Sequence, residues 1–121
     1  MKYKIVKING WPPFIKWFMN PAAVSLYPWL IVIEGYEKHE WLIKHEEGHL
    51  AEQERDGTLR WVFKYLFSKK FRYHVELEAH AVSVKYGYPL AKAARDLSSN
   101  YGLKLSYREA EKEIQDAIHR L

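Results

Sequence analysis

The sequence predicts an α+β domain, a small strand-bearing N-terminal part followed by about five helices. Two segments before residue 35 have β-type composition. Beyond residue 36, runs of good helix formers are separated by Gly, Ser and Pro punctuation. A chain of 121 residues that is 48% hydrophobic and 28% charged, with no internal repeat, linker or low-complexity tract, reads as one domain spanning 1–121.

Residues 2–8 (KYKIVKI) alternate lysine with apolar or aromatic side chains. They read as a short strand, ended by Asn9-Gly10 and the Pro12-Pro13 turn. Residues 26–33 (LYPWLIVI) are rich in β-branched and aromatic types. Pro28 places the start of that strand at a sheet edge, because proline donates no ladder hydrogen bond, and Gly35 closes it. From 37 to 56 there is no proline and Asp56-Gly57 supplies a stop, which predicts the first helix. Leu59, Val62, Phe63, Leu66 and Phe67 recur at helical spacing through 59–67, before a break at Ser68-Lys69-Lys70. A third helix is predicted over 72–86, ended by Gly87 and Pro89, and a short fourth over 90–97. Ser106 with Glu109 three residues later is a capping-box pattern and starts the fifth.

There is no cysteine, so disulfides, thiolate metal sites and thiol nucleophiles are excluded, and any metal must be held by His, Asp or Glu. Six His are available. Five Trp, nine Tyr and five Phe are expected mainly in the core, among them Trp17, Trp29, Trp41 and Trp61. The net charge of +4 comes from segregated segments: 1–20 and 57–75 carry bases and no acid, whereas 34–56 is predominantly acidic. Segments of opposite sign neutralise one another on folding, so no nucleic-acid partner is expected and the basic 60–72 run reads as a solvated face. The uncharged run 17–33 is shorter than the roughly 20 residues a membrane span needs, and it contains Asn20, Pro21, Ser25 and Pro28. The expectation is a cytoplasmic protein without a membrane span.

Within the first predicted helix lies His45-Glu46-Glu47-Gly48-His49, an HExxH sequence. Two His four residues apart lie about 40° apart around a helix and one turn apart along it, so both imidazoles reach one metal ion. Glu46 can project toward a metal-activated water without being a ligand. Gly48 costs about 1 kcal/mol of helix propensity relative to Ala, which suggests that another element passes close there. Shuffling the composition yields HExxH in about three cases in a hundred, so a third ligand is needed to give the motif weight. The 72–86 helix offers Glu76, Glu78 and His80. Glu76 and Glu78 diverge by about 200° on a helix, so only one of them can serve. The competing reading of Glu76 is a surface ion pair with Arg72.

HExxH followed on a later helix by Glu76-Leu77-Glu78-Ala79-His80 resembles the gluzincin clan of zinc metallopeptidases, especially its small phage- and prokaryote-type members. The resemblance covers roughly residues 26–86 and implies a zincin-like fold. It also implies Zn²⁺ held by His45, His49 and Glu76, with Glu46 as general base, and a peptide or protein substrate. Its register aligns Ala79 with the family's alanine and so assigns Glu76 as third ligand, with Glu78 in reserve. His80 then stands where the family usually has an Asp or Asn orienting a ligand His, which makes it a supporting residue or an additional ligand. Gln53 matches a small-family variant, HExxHxxxQ, on the same helix face. The strand before the zinc helix is expected to pair with extended substrate along its edge. Tyr73, His74, Tyr86 and Tyr101 are candidates for stabilising the oxyanion. The alternative function is a catalytically silent zinc-binding module that docks a partner protein.

Overall fold

In the computed structural model, which describes residues 1–13 and 21–121, a three-stranded sheet is followed by a helical layer. The strands are β1 (Lys4–Ile8), β2 (Ala23–Leu26) and β3 (Trp29–Ile33). Their order is β1-β3-β2, with β1 parallel and β2 antiparallel to the central β3. Along β3, Leu30 and Val32 point into the core while Trp29 is exposed, the period-2 alternation expected of a sheet with one covered face.

The strand expected over 26–33 is thus two elements. Leu26 ends β2, Tyr27 and Pro28 form the connecting turn across a cis peptide bond, and 29–33 is a central strand rather than an edge. Pro28 accordingly lies in a turn and not at a sheet edge. β2 escapes sequence reading because its buried positions are the small Ala23 and Ser25, which lack the branched or aromatic bulk that marks strands. Residues 17–20 of the uncharged 17–33 run, including Trp17, lie outside the described residues, and 23–33 supplies β2 and β3. Among the described residues no helix is long and apolar enough to cross a membrane.

A 3-10 turn at Tyr36–Lys38 leads into α1 (Glu40–Asp56), so the first helix begins later than expected. Four further α-helices follow: α2 (Thr58–Phe67), α3 (Lys69–Lys85), α4 (Leu90–Ser99) and α5 (Tyr107–Arg120). The Ser68-Lys69-Lys70 break is a helix start: the Ser68 hydroxyl accepts from the Phe71 N–H as N-cap, and α3 begins at Lys69. Ser106 and Glu109 form the reciprocal capping box at the start of α5. Gly57 joins α1 to α2 at φ 93°, a conformation that costs a side-chain-bearing residue steric strain.

Two apolar cores flank the α1–α3 interface. Leu30 and Val32 of the sheet pack with Leu42 and Leu50 of α1. On the other side Leu77 and Ala81 of α3 pack with Ala93, Ala94 and Leu97 of α4 and Ile114 of α5. The aromatic residues divide more evenly than expected: Trp61 is buried, Trp41 is half-buried and Trp29 is exposed.

Candidate metal centre

Between these cores, α1 and α3 bring their polar residues together. Glu46, His49 and Gln53 lie on the buried stripe of α1, and Glu76, His80 and Ser83 on that of α3. The spacing on each helix, i, i+3 or i+4, and i+7, places the three on one face.

The Glu76 carboxylate stands at the centre. Its Oε1 is 3.4 Å from His45 Nε2 and 3.2 Å from His49 Nε2. Those separations are long for charge-assisted hydrogen bonds, but ligand atoms around a tetrahedral ion with bonds near 2.0 Å lie about 3.3 Å apart. His45, Glu76 and His80 also form a buried group whose ligand atoms all lie within 4.8 Å of one another. His45, Glu76 and His80 can hold a metal ion.

Each of the three imidazoles has its Nδ1 at an oxygen. His45 Nδ1 is 3.0 Å from the Ser83 hydroxyl, His49 Nδ1 is 3.4 Å from Glu52 Oε1, and His80 Nδ1 is 2.8 Å from the Glu76 carbonyl. With Nδ1–H donating in each case, all three rings leave Nε2 free to bind a metal, the arrangement by which partners behind a metal-binding histidine fix its tautomer and ring orientation. Ser83 can accept from His45 because its own hydroxyl donates 3.1 Å away to the Ala79 carbonyl.

Buried in a shared low-dielectric site, the charges are strongly coupled. For His49, burial opposes the charged ring, but the Glu76 carboxylate, helped by Glu52 and Glu46, prevails and raises its pKa well above the ordinary value. For Glu76, burial likewise opposes the charge. The facing His49 and His45 nevertheless hold its carboxyl well below the usual range. His80 is pushed down to about 4, mainly by burial and then by His45, and so stays neutral with Nε2 unprotonated. The Tyr101 hydroxyl lies 3.4 Å from that nitrogen.

The general-base candidate Glu46 is buried, and its Oε2 accepts from the Ser25 hydroxyl at 2.5 Å. The small β2 residues let the strand lie close enough to α1 for this contact. Among the described residues Gln53 makes no hydrogen bond to the cluster. It pairs instead with the outer edge of β2, donating to the Ser25 carbonyl at 3.0 Å and accepting from the Tyr27 N–H at 2.6 Å. Thr58 donates to the Tyr27 carbonyl. The strand edge expected to pair with substrate therefore lies on β2, and side chains of α1 and α2 already occupy its outward groups at Ser25 and Tyr27.

Glu78 is exposed, on the side of α3 that lines a groove with Gly48, Glu52 and Arg55, and takes no part in the cluster. Arg72 makes no ion pair with Glu76: its guanidinium donates to the carbonyls of Tyr65 and Tyr101. The expectation that another element crosses close to Gly48 is not met among the described residues, since a Cβ there would have no neighbour within 4 Å and the residue faces the groove. Of the four oxyanion candidates, Tyr101 reaches the cluster. Tyr73 bonds Glu113, His74 lines the groove, and Tyr86 lies under the Lys44 ammonium.

Several site residues were not read from sequence. Tyr65 of α2 donates to Glu76 Oε2, leaving Oε1 for the imidazoles. Trp61, one turn earlier, stacks on Tyr65 and packs its ring 5.3 Å from that of His49. Ser83 was legible in principle, at i+7 from Glu76. Ser25 and Tyr65 carry no local signal, because their roles depend on which elements pack together. Comparison with known protein families, with curated proteins and with solved structures finds no match.

Proposed function

We propose that the chain is a zinc-dependent peptidase of the gluzincin type, with His45, His49 and Glu76 as ligands and Glu46 as general base. The observation that carries this reading is the placement of both HExxH imidazoles at tetrahedral-edge distance from one oxygen of Glu76. Imidazole nitrogen and carboxylate donors without thiolates suit the borderline-soft Zn²⁺. Bound there, the ion supplies Lewis acidity that polarises a peptide carbonyl and makes a water acidic near neutral pH.

The protein's own groups do the rest. Glu46 takes a proton from the attacking water and delivers it to the leaving amine, and Ser25 holds that carboxylate in one orientation. Glu52, Ser83 and the Glu76 carbonyl hold the imidazoles by their Nδ1 atoms. Tyr101 supplies a phenol O–H toward developing negative charge. Extended substrate has a short pairing edge on β2 at Ala23, beyond the groups that Gln53 and Thr58 occupy.

A second reading rests on His80. With Nδ1–H donated to a carbonyl and Nε2 directed into the cluster, His80 has the form of a fourth ligand. Four protein ligands close a zinc site and make it structural, the catalytically silent module. Metal analysis and cleavage of an unfolded protein separate the two. The peptidase reading expects Glu46→Gln to retain one equivalent of zinc and lose cleavage, and His80→Ala to retain zinc. Wild type and Glu46→Gln equally inert, with zinc lost in His80→Ala, would establish the structural site instead.

A further inference from the structure

Helix α2 has two apolar faces. Trp61 and Tyr65 point inward at His49 and Glu76. On the other side Leu59, Phe63, Leu66 and Phe67 are exposed at 87%, 65%, 62% and 74%, and the two Phe rings touch with centroids 4.8 Å apart. At 100° per residue these four side chains fall within an arc of about 100°. A contiguous exposed patch of large apolar groups is uncommon on a soluble monomer and marks a contact surface.

The charge around the patch selects its partner. Arg60 and Lys64 border the apolar arc on the helix itself, and Lys69 and Lys70 follow at the start of α3. From residue 57 to 75 there is no acidic residue. Among the described residues none of these four cations makes an ion pair, and the neighbouring Asp56 is held by Arg55. Arg72 is differently employed: it donates to the Tyr65 and Leu66 carbonyls and caps the C-terminus of α2.

We propose that α2 is an interfacial helix that docks this protein on an anionic lipid bilayer surface, with Leu59, Phe63, Leu66 and Phe67 entering the acyl boundary and Arg60, Lys64, Lys69 and Lys70 meeting lipid phosphates. Leu and Phe on one face with Lys and Arg beside it is the composition of helices that lie in the membrane interface. A second copy of the chain is the poorer occupant, because it brings the same cations against these. A nucleic acid would satisfy the cations and leave the two leucines without a role. The inward face of the same helix carries Tyr65, so docking would hold the Glu76 cluster at a fixed distance above the lipid.

The test is flotation of the 121-residue chain with vesicles of phosphatidylcholine alone and with about 30% phosphatidylglycerol. The expected result is binding to the anionic vesicles only, reduced about tenfold or more in about 0.5 M salt. Phe63→Ser with Phe67→Ser, and separately Lys64→Glu with Lys69→Glu and Lys70→Glu, should each abolish flotation while leaving the circular dichroism melt unchanged. Should a variant fail to fold, the lipid-charge and salt dependence of the wild type still decide. Absence of flotation with anionic vesicles overturns the proposal. So does flotation that ignores lipid charge. Sedimentation showing self-association through the same face, or binding of a single-stranded oligonucleotide without vesicle binding, overturns it in favour of those partners.

Discussion

The phenol of Tyr65 donates its proton to Oε2 of Glu76, the oxygen left over once Oε1 faces the two HExxH imidazoles. A carboxylate with both oxygens engaged has its orientation set before any ion arrives. Tyr65→Phe removes that donor and leaves Oε2 buried without a partner, at a cost of about 1–3 kcal/mol. Metal affinity should fall about 10- to 100-fold, as it does when partners behind metal ligands are lost. Competition titration against a chromophoric chelator measures this, and an unchanged affinity would remove Tyr65 from the site.

Metal loading should release a proton. In the metal-free protein the Glu76 carboxylate raises the pKa of His49, which favours a proton on its Nε2, and a nitrogen that binds metal must give that proton up. Titration calorimetry with zinc at pH 7 in two buffers of different ionisation enthalpy should show net proton release, as binding heats that differ between the buffers. Identical heats in both buffers would contradict the His49–Glu76 pairing.

The chelated protein should be most stable near pH 6.5, because two histidines are shifted in opposite directions. His80 titrates near 4 when folded and near 6.5 when unfolded, so below 6.5 the unfolded chain binds the extra proton. Stability therefore falls as pH drops from 6.5 to about 4, by up to about 3 kcal/mol. His49 is shifted upward, so its contribution is complete below 6.5 and is lost as pH rises through its folded value. The Glu76 carboxylate, held well below the usual range, loses its contribution only at more acid pH still. Urea melts across pH 4–9 with chelator present would show this maximum, and His80→Gln should flatten its acid side.

Gln53 is a structural clamp with a signature of its own. Gln53→Glu keeps the acceptor for the Tyr27 N–H and loses the donor to the Ser25 carbonyl, leaving two acceptors face to face in a buried position. We expect a loss of about 2–4 kcal/mol in stability with the metal stoichiometry of the folded protein unchanged. Loss of metal from a variant that still folds would place Gln53 at the site itself.

Gly48 offers the opposite outcome. It lies inside α1 without a positive φ, and a Cβ there meets nothing within 4 Å. Gly48→Ala should raise stability by about 0.5–1 kcal/mol, visible as a higher melting temperature. A decrease would mean that the groove it faces needs the open backbone.

Local chemistry made much of this legible in advance. The helix carrying His45, Glu46 and His49, the capping box at Ser106 and Glu109, and the stops at Gly57 and Gly87 depend on side chains a few residues apart. The divergence of Glu76 from Glu78 was legible for the same reason. β2 was not, since Ala23 and Ser25 signal a strand only through their fit against α1.

By itself, then, the sequence determined the helical register and the donor types: imidazole and carboxylate with no thiol, at spacings that put each set on one face. These are consequences of a 3.6-residue period and of which atoms a side chain carries. The tertiary structure decided the partners. It faced α1 with α3 so that Glu76 meets His45 and His49, and brought His80 into reach of the same ligand atoms. It also turned Trp61 and Tyr65 inward while leaving Leu59 and Phe67 in solvent. Helical periodicity fixes which residues share a face; only packing against the rest of the molecule fixes what that face meets.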